Sequence, residues 1–231
     1  MGLPLSFILI SHIGFGIVSV IAGPIALGAR KGGRIHKHAG KVFTYFMGLS
    51  SALGAILGLI HFDQLLITFH AGLLGMTLLA SGVLAARARS PVSTFWTGLV
   101  GICNAGNLLA LMFLGYFATT HGGGTLFGFA AEDYFFLGVL TALAAIADVS
   151  LIVRQHLTMR HRIARHLWRM CTAFFIAAGS AFTGPGADVF PQALKASGIL
   201  SVPEGLIFGL MLFWLLRTLF FRRPSSRKER A

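Results

Sequence analysis

Residues 5–41 read LSFILISHIGFGIVSVIAGPIALGARKGGRIHKHAGK, an apolar run without a charged residue that ends in a cluster of cations and histidines. The apolar part covers residues 5–29, and a helix needs about 20 mostly apolar residues to cross a bilayer. The cations that follow are typical of a short cytoplasmic loop. This stretch therefore predicts a membrane-spanning helix followed by a basic loop.

The same pattern recurs along the chain. Hydrophobic residues make up 55% of the sequence and charged residues 11%, whereas a soluble domain carries about 25% charged residues. The apolar runs predict spans over residues 5–29, 42–60, 64–86, 94–118, 133–153, 167–184 and 202–221. We therefore predict an all-α integral membrane bundle of seven transmembrane helices, with one domain over residues 1–221 and a basic cytoplasmic tail over residues 222–231.

The distribution of cations predicts the orientation, because cytoplasmic loops keep Lys and Arg during insertion. Of the 19 cations, all but Lys195 fall in the first, third and fifth loops or at the C-terminal end. This places the N-terminus outside and the C-terminus in the cytoplasm. The net charge of +12 therefore reflects topology and not nucleic-acid binding, and we expect anionic lipid headgroups on the cytoplasmic side as partners.

Two histidines lie within predicted spans, roughly 10 Å below the outer helix ends at a rise of about 1.5 Å per residue. His12 shares a stripe with Gly16 and Ser19 on the first helix, and His70 shares one with Thr77 on the third. Small and polar stripes face the interior of a bundle, where intramembrane ionisable groups are candidates for function. His12 and His70 are therefore predicted to form a site in the outer half.

Two histidines at matching depth suit the axial ligation of haem b, because the iron takes one imidazole on each face. Zinc or copper is the alternative, and His61 and His121 on the outer rim are further candidate ligands. Hydrogen bonding between helices, with no cofactor, is equally compatible with the sequence.

Other polar residues are predicted to converge near the outer half or the midplane, as a ligand cavity or as hydrogen-bonding partners between helices: Asn104, Asn107, Thr141, Ser180 and Thr183. Towards the cytoplasmic side, Asp148 is predicted to pair with Arg169 in preference to relaying protons. His36, His38 and His166 are inner-side candidates that suit lipid phosphates. A second redox site there requires His36 or His38 to meet His166.

Two segments, GGRIHKHAGKVF over residues 32–43 and RHLWRMCTAFFIAAGSAFTGP over residues 165–185, carry a family resemblance. They resemble a family of bacterial predicted membrane proteins of unknown function, with a His-basic-x-x-Gly pattern in the first loop and H-x-W-R-M at the sixth helix. The matching positions are His36, Gly40, His166, Trp168, Arg169 and Met170. The resemblance implies a bacterial cytoplasmic (inner) membrane protein and implies no reaction.

These features predict a haem- or metal-binding membrane protein for electron transfer. A structural subunit or scaffold of a larger membrane complex, held by other membrane subunits, is the first alternative. A small-molecule transporter is the second, and it requires a continuous polar path past Asn107 and Asp148.

Overall fold

The protein is described by a computed structural model that covers residues 3–87, 94–154 and 158–220. Its helices are α1 (Leu3–Gly28), α2 (Arg34–Ile60), α3 (Phe62–Arg87), α4 (Thr94–Thr120), α5 (Ala131–Arg154), α6 (Met159–Ala178), α7 (Gln192–Ala196) and α8 (Val202–Phe220). A two-stranded antiparallel hairpin, β1 (Thr125–Leu126) and β2 (Phe129–Ala130), connects α4 to α5. The predicted all-α class is confirmed, and the predicted tail over residues 222–231 lies outside the described residues.

Within the described ranges, six helical segments are long and apolar enough to cross a membrane: α1 to α5 and the segment Ile199–Phe220 that contains α8. The chain is therefore a multi-pass membrane protein. α6 is not among the six, because its first 11 residues carry Arg160, Arg162, Arg165 and Arg169. Its second half continues into a π-helix over Gly179–Thr183 and a 3-10 helix over Pro185–Val189.

Two helices begin well before the spans predicted from the apolar runs. α2 begins at Arg34 where the prediction was residue 42, and α6 begins at Met159 where the prediction was residue 167. Hydropathy reports where a helix enters lipid, whereas backbone hydrogen bonds continue into the polar region beyond it. The early turns matter because they place His36 and His166 on helices and not in loops.

Small residues bring α2 close to α3. A Cβ added at Gly58 would lie 2.4 Å from the backbone nitrogen of Phe69, and one added at Gly72 would lie 2.5 Å from the carbonyl oxygen of Ser51. Only a residue without a side chain permits these approaches. Helices in lipid gain stability from such packing, because lipid supplies no hydrophobic drive between them.

The basic segments meet at one end of the bundle, called the basic end below. Arg162 of α6 donates to the carbonyls of Ala85 and Ala86 at the end of α3, at 3.3 and 3.1 Å. Lys31, between α1 and α2, lies 5.0 Å from the ring centre of Trp214 in α8. The first loop, the end of α3, the start of α6 and the end of α8 are thus neighbours.

Candidate functional site

His12 on α1 is held against α2. Its Nδ1 lies 2.8 Å from the carbonyl oxygen of Ser50, and the Ser50 hydroxyl donates to the His12 carbonyl at 2.9 Å. A Cβ added at Gly54 would lie 2.9 Å from His12 Cε1, so this glycine makes room for the ring. The stripe predicted on α1 does face the bundle, since Gly16 approaches Ser50 and Ser19 is fully buried.

His70 on α3 is buried against α4. Its Nδ1 lies 2.7 Å from Asn107 Oδ1, and Asn107 Nδ2 donates to the His70 carbonyl at 3.3 Å. The Asn107 side chain thus uses both its amide oxygen and its amide nitrogen in bonds to His70. This two-point contact joins α3 to α4 on the side of the bundle away from the basic end.

The described hydrogen bonds hold His12 and His70 to different helices, His12 to α2 and His70 to α4. The Cβ position of Gly54 lies near both His12 and Thr68, so Thr68 is the α3 residue that faces His12. His70 follows Thr68 by two residues, which turns it roughly 200° around a helix of 3.6 residues per turn. It therefore faces α4, and the contacts of the two histidines have no partner residue in common.

The outer-rim candidates for a zinc or copper site are also dispersed. His61 caps the end of α2, and its Nε2 is buried without a hydrogen-bond partner. His121 is exposed and stacks on Phe117 with ring centres 4.6 Å apart. Among the residues that the structure describes, no group of three or more His, Cys, Asp or Glu side chains is placed to hold a metal ion.

At the basic end, His36 does meet His166. Their ring centres are 6.5 Å apart and their planes lie at 80°. Each ring is anchored through Nδ1 to the backbone of a helix outside the pair. His36 is bonded to the Ala26 carbonyl of α1 at 2.9 Å, and His166 is bonded to the Gly82 carbonyl of α3 at 3.0 Å. A second site on this side required either His36 or His38 to meet His166, and it is His36 that does so. His38 is exposed, and its described hydrogen bond is to the carbonyl of Arg34 in its own helix.

These anchors determine the chemistry of both rings. A carbonyl oxygen only accepts hydrogen bonds, so Nδ1 of His36 and of His166 carries the proton. In the neutral ring the lone pair then resides on Nε2, the nitrogen that binds a metal when Nδ1 donates to a carbonyl. His36 and His166 therefore form a pair of oriented potential ligands.

Beside this pair lies a buried ion cluster, defined by Asp148, Arg165 and Arg169. Arg169 NH2 donates to Asp148 Oδ1 at 2.7 Å, which confirms the predicted ion pair, and Arg165 NH2 donates to the same oxygen. Arg169 also donates to the Ser81 hydroxyl, and to the Ala144 carbonyl at 2.9 Å. Asp148 and Arg169 are fully buried, and Arg165 is 7% exposed.

A chain of polar side chains extends the ion cluster into the bundle. Asn104 Nδ2 donates to Asp148 Oδ2 at 2.7 Å, and Thr77 donates to Asn104 Oδ1 at 2.7 Å. Asn107 is one turn along α4 from Asn104 but bonds to His70, so the two sets of bonds are separate.

The remaining members of the predicted polar cavity do not join this chain. Thr141 is fully buried and donates to the Leu137 carbonyl of its own helix at 2.8 Å. Ser180 and Thr183 are exposed in the π-helix, and Thr183 donates to Glu204 Oε1 at 2.5 Å. Ser180 and Thr183 thus differ from the buried asparagines in being exposed, on the π-helix that continues α6.

Arg165 is the member of the ion cluster that sequence reasoning missed. The sequence analysis treated Arg165 only as one of the cations in the fifth loop. In the structure it lies within α6, which begins at Met159, and precedes Arg169 by one turn. That spacing of four residues puts both arginines on one helix face, and this was the available signal. Lys31, which lies outside the predicted spans, is also partly buried, and this burial lowers its pKa.

No known protein family, curated protein or solved structure matches this chain.

Proposed function

We propose that this multi-pass membrane protein binds a haem or a transition-metal ion through His36 and His166 and uses it in electron transfer. The observation that carries the proposal is the contact between the two rings, each anchored by Nδ1 to a backbone carbonyl. Such anchors fix ring orientation and raise the basicity of the opposite nitrogen.

The separation of the rings supports this assignment. Two imidazoles that bind one metal from opposite sides have ring centres roughly 6 Å apart, given metal–nitrogen bonds of about 2 Å. The observed separation of the ring centres is 6.5 Å. Bound there, haem or copper would supply a one-electron redox step at the basic end of the bundle. The protein's part is to hold both rings in the ligating tautomer.

The proposal uses the inner histidines in place of His12 and His70, for which the sequence analysis predicted the cofactor. On α3 the direction of His70 is away from His12, and each outer ring is bonded to a different helix. Their described contacts support a role in helix packing, which was the alternative without a cofactor.

The topology that accompanies this proposal has α6 as a seventh span, the N-terminus outside and the basic end in the cytoplasm of a bacterial cell. The meeting of the basic segments at one end supports it, as do the concentration of cations there and the resemblance to bacterial membrane proteins. Single cysteines at Ser197 and Lys37, labelled from outside intact cells, test it. Labelling of Ser197→Cys but not Lys37→Cys is expected, and the reverse would overturn the orientation.

The cofactor itself is tested on purified full-length protein by absorption spectroscopy and elemental analysis. We expect either a haem Soret band or about one copper or iron per chain. His36→Ala and His166→Ala should each lower the metal content or shift the Soret band, since each substitution removes one of the two ligands.

His38→Ala is the matched control, because it removes an exposed histidine two residues from His36 without touching His166. It should keep the cofactor, as should His12→Ala and His70→Ala. Protein that is colourless and free of these metals after expression with haem precursor and copper would overturn the proposal. Its stable isolation in a larger assembly would then favour the scaffold alternative.

A further inference from the structure

The ion cluster is not electrically balanced. Two guanidinium groups, those of Arg165 and Arg169, share the single carboxylate of Asp148. Arginine stays protonated in proteins, so the cluster keeps one positive charge in the interior. An uncompensated charge is strongly unfavourable when it is buried away from water.

No other acid among the described residues is near enough to balance this charge. The other five described acids lie at the opposite end of the bundle, in the first turns of helices or in the 3-10 helix: Asp63, Glu132, Asp133, Asp188 and Glu204. The carbonyls of Ala144 and Ala147 accept from the arginines, but they carry only partial charge. The balancing charge therefore comes from outside the described chain.

The structure provides a place for it. A small pocket with room for about one water-sized group adjoins the ion cluster, and its lining combines the polar residues Ser81, Thr97, Asp148 and Arg165 with the apolar residues Leu84, Ala85, Val100 and Leu151. In addition, Arg169 Nε is fully buried and has no hydrogen-bond partner, although buried donors are nearly always paired. Arg165 lines this pocket and Arg169 does not, so the excess positive charge at Arg165 is the feature that favours a negatively charged ligand there.

We propose that this pocket binds a small anionic group that neutralises the extra charge of Arg165 and Arg169. The shared chemistry is that of chloride, inorganic phosphate or the phosphate of an anionic lipid. The pocket lies beside the end of α3, where Arg162 binds the Ala85 and Ala86 carbonyls. This position at the basic end is open to both sources, since basic pockets between membrane helices bind anionic headgroups.

The test uses thermal unfolding of the purified full-length chain at constant ionic strength. In detergent, sodium gluconate serves as the reference salt and is replaced stepwise by sodium chloride or phosphate. In nanodiscs with gluconate buffer, phosphatidylglycerol is compared with phosphatidylcholine. A ligand at about ten times its Kd should raise the unfolding temperature by about 3–6 °C.

Arg165→Gln leaves the Asp148–Arg169 pair intact and removes the extra charge, so the increase in unfolding temperature should disappear. Arg165→Lys keeps the charge and should retain most of that increase. Arg162→Gln, on the same helix but outside the pocket, is the matched control and should respond like the original chain.

A response to chloride or phosphate alone identifies a free anion, and a response to phosphatidylglycerol alone identifies a lipid phosphate. Absence of a response to all three ligands would overturn the proposal. An undiminished response in Arg165→Gln would do the same. Neither result depends on whether His36 and His166 bind a cofactor.

Discussion

The half of the bundle away from the basic end, called the outer half below, and the half at the basic end, called the inner half, each contain two histidines on different helices. Among the described ring contacts, one joins the inner two histidines and none joins the outer two. His12 and His70 bond to α2 and α4, at Ser50 and Asn107. His36 and His166 instead lie with ring centres 6.5 Å apart. In all four rings Nδ1 is bonded to an oxygen atom, so the hydrogen bonding of the four histidines is alike. The two pairs differ in whether the rings contact each other.

This difference teaches that depth in the membrane and direction around a helix are separate variables. His12 and His70 have matching predicted depths, but Thr68 occupies the α3 face that approaches His12. A helix rotates a side chain by about 100° per residue. Two residues are therefore enough to move a histidine from one helix interface to another without changing its depth appreciably.

The halves also differ in how their polar groups are held. Outer polar contacts are pairwise, whereas the inner half has one carboxylate serving two arginines and an asparagine. Loss of a shared partner leaves several groups unsatisfied, while loss of a pairwise partner leaves one. Substitutions should therefore be more damaging in the inner half.

The largest effect is expected for Asp148→Asn. Removing the carboxylate leaves two buried guanidinium groups unpaired, and breaking a buried ion pair costs about 3–5 kcal/mol. Thermal unfolding and the yield of monodisperse protein measure it. Asp188→Asn is the control, since Asp188 is largely exposed and surface pairs contribute little. Equal stability of the two variants would refute the shared-carboxylate account.

Gly58→Ala should come next and disturbs the outer half through packing. Its Cβ would lie 2.4 Å from the Phe69 backbone, which a rotamer change cannot relieve, and overpacking costs about 1–3 kcal/mol. Gly48→Ala on the same helix has open space at its Cβ and should not lower the unfolding temperature. If both substitutions are neutral, α2 and α3 are not as close as described.

Asn107→Leu tests the outer polar contact of His70. It leaves Nδ1 of a buried ring without a partner, at a cost of about 1–2 kcal/mol in the free energy of unfolding. Replacing His70 by Leu in the same chain should recover part of this loss, because no polar atom is then left unpaired. Additive losses in the double variant would mean that the two residues are not coupled.

The smallest effect is expected for Ser50→Ala, at about 0.5–1 kcal/mol. His12 Nδ1 bonds to the Ser50 backbone carbonyl, which the substitution keeps. The Ser50 hydroxyl loses its bond to the His12 carbonyl at 2.9 Å and its longer contact with His12 Nδ1 at 3.2 Å. The same unfolding assay measures this loss. A larger loss than for Asn107→Leu would reverse the order of the two outer contacts.

Most of the fold could be predicted from the sequence, because a bilayer imposes a minimum length of apolar residues on each span. Six of the predicted spans correspond to helices apolar enough to cross a membrane. The Asp148–Arg169 pair was also predictable, since an intramembrane acid needs a partner. The helix starts at Arg34 and Met159 were not, because apolar length does not report helix continuation outside lipid.

By itself, the sequence determined which segments are long and apolar enough to cross a membrane, which segments are basic and which histidines are candidates, since composition and spacing are properties of the chain alone. Only the tertiary structure decided that His36 meets His166, that His70 turns to α4, and that Arg165 shares Asp148 with Arg169. The physical reason is that these contacts depend on helix rotation and on close backbone approaches at residues such as Gly54 and Gly72, which no single helix specifies.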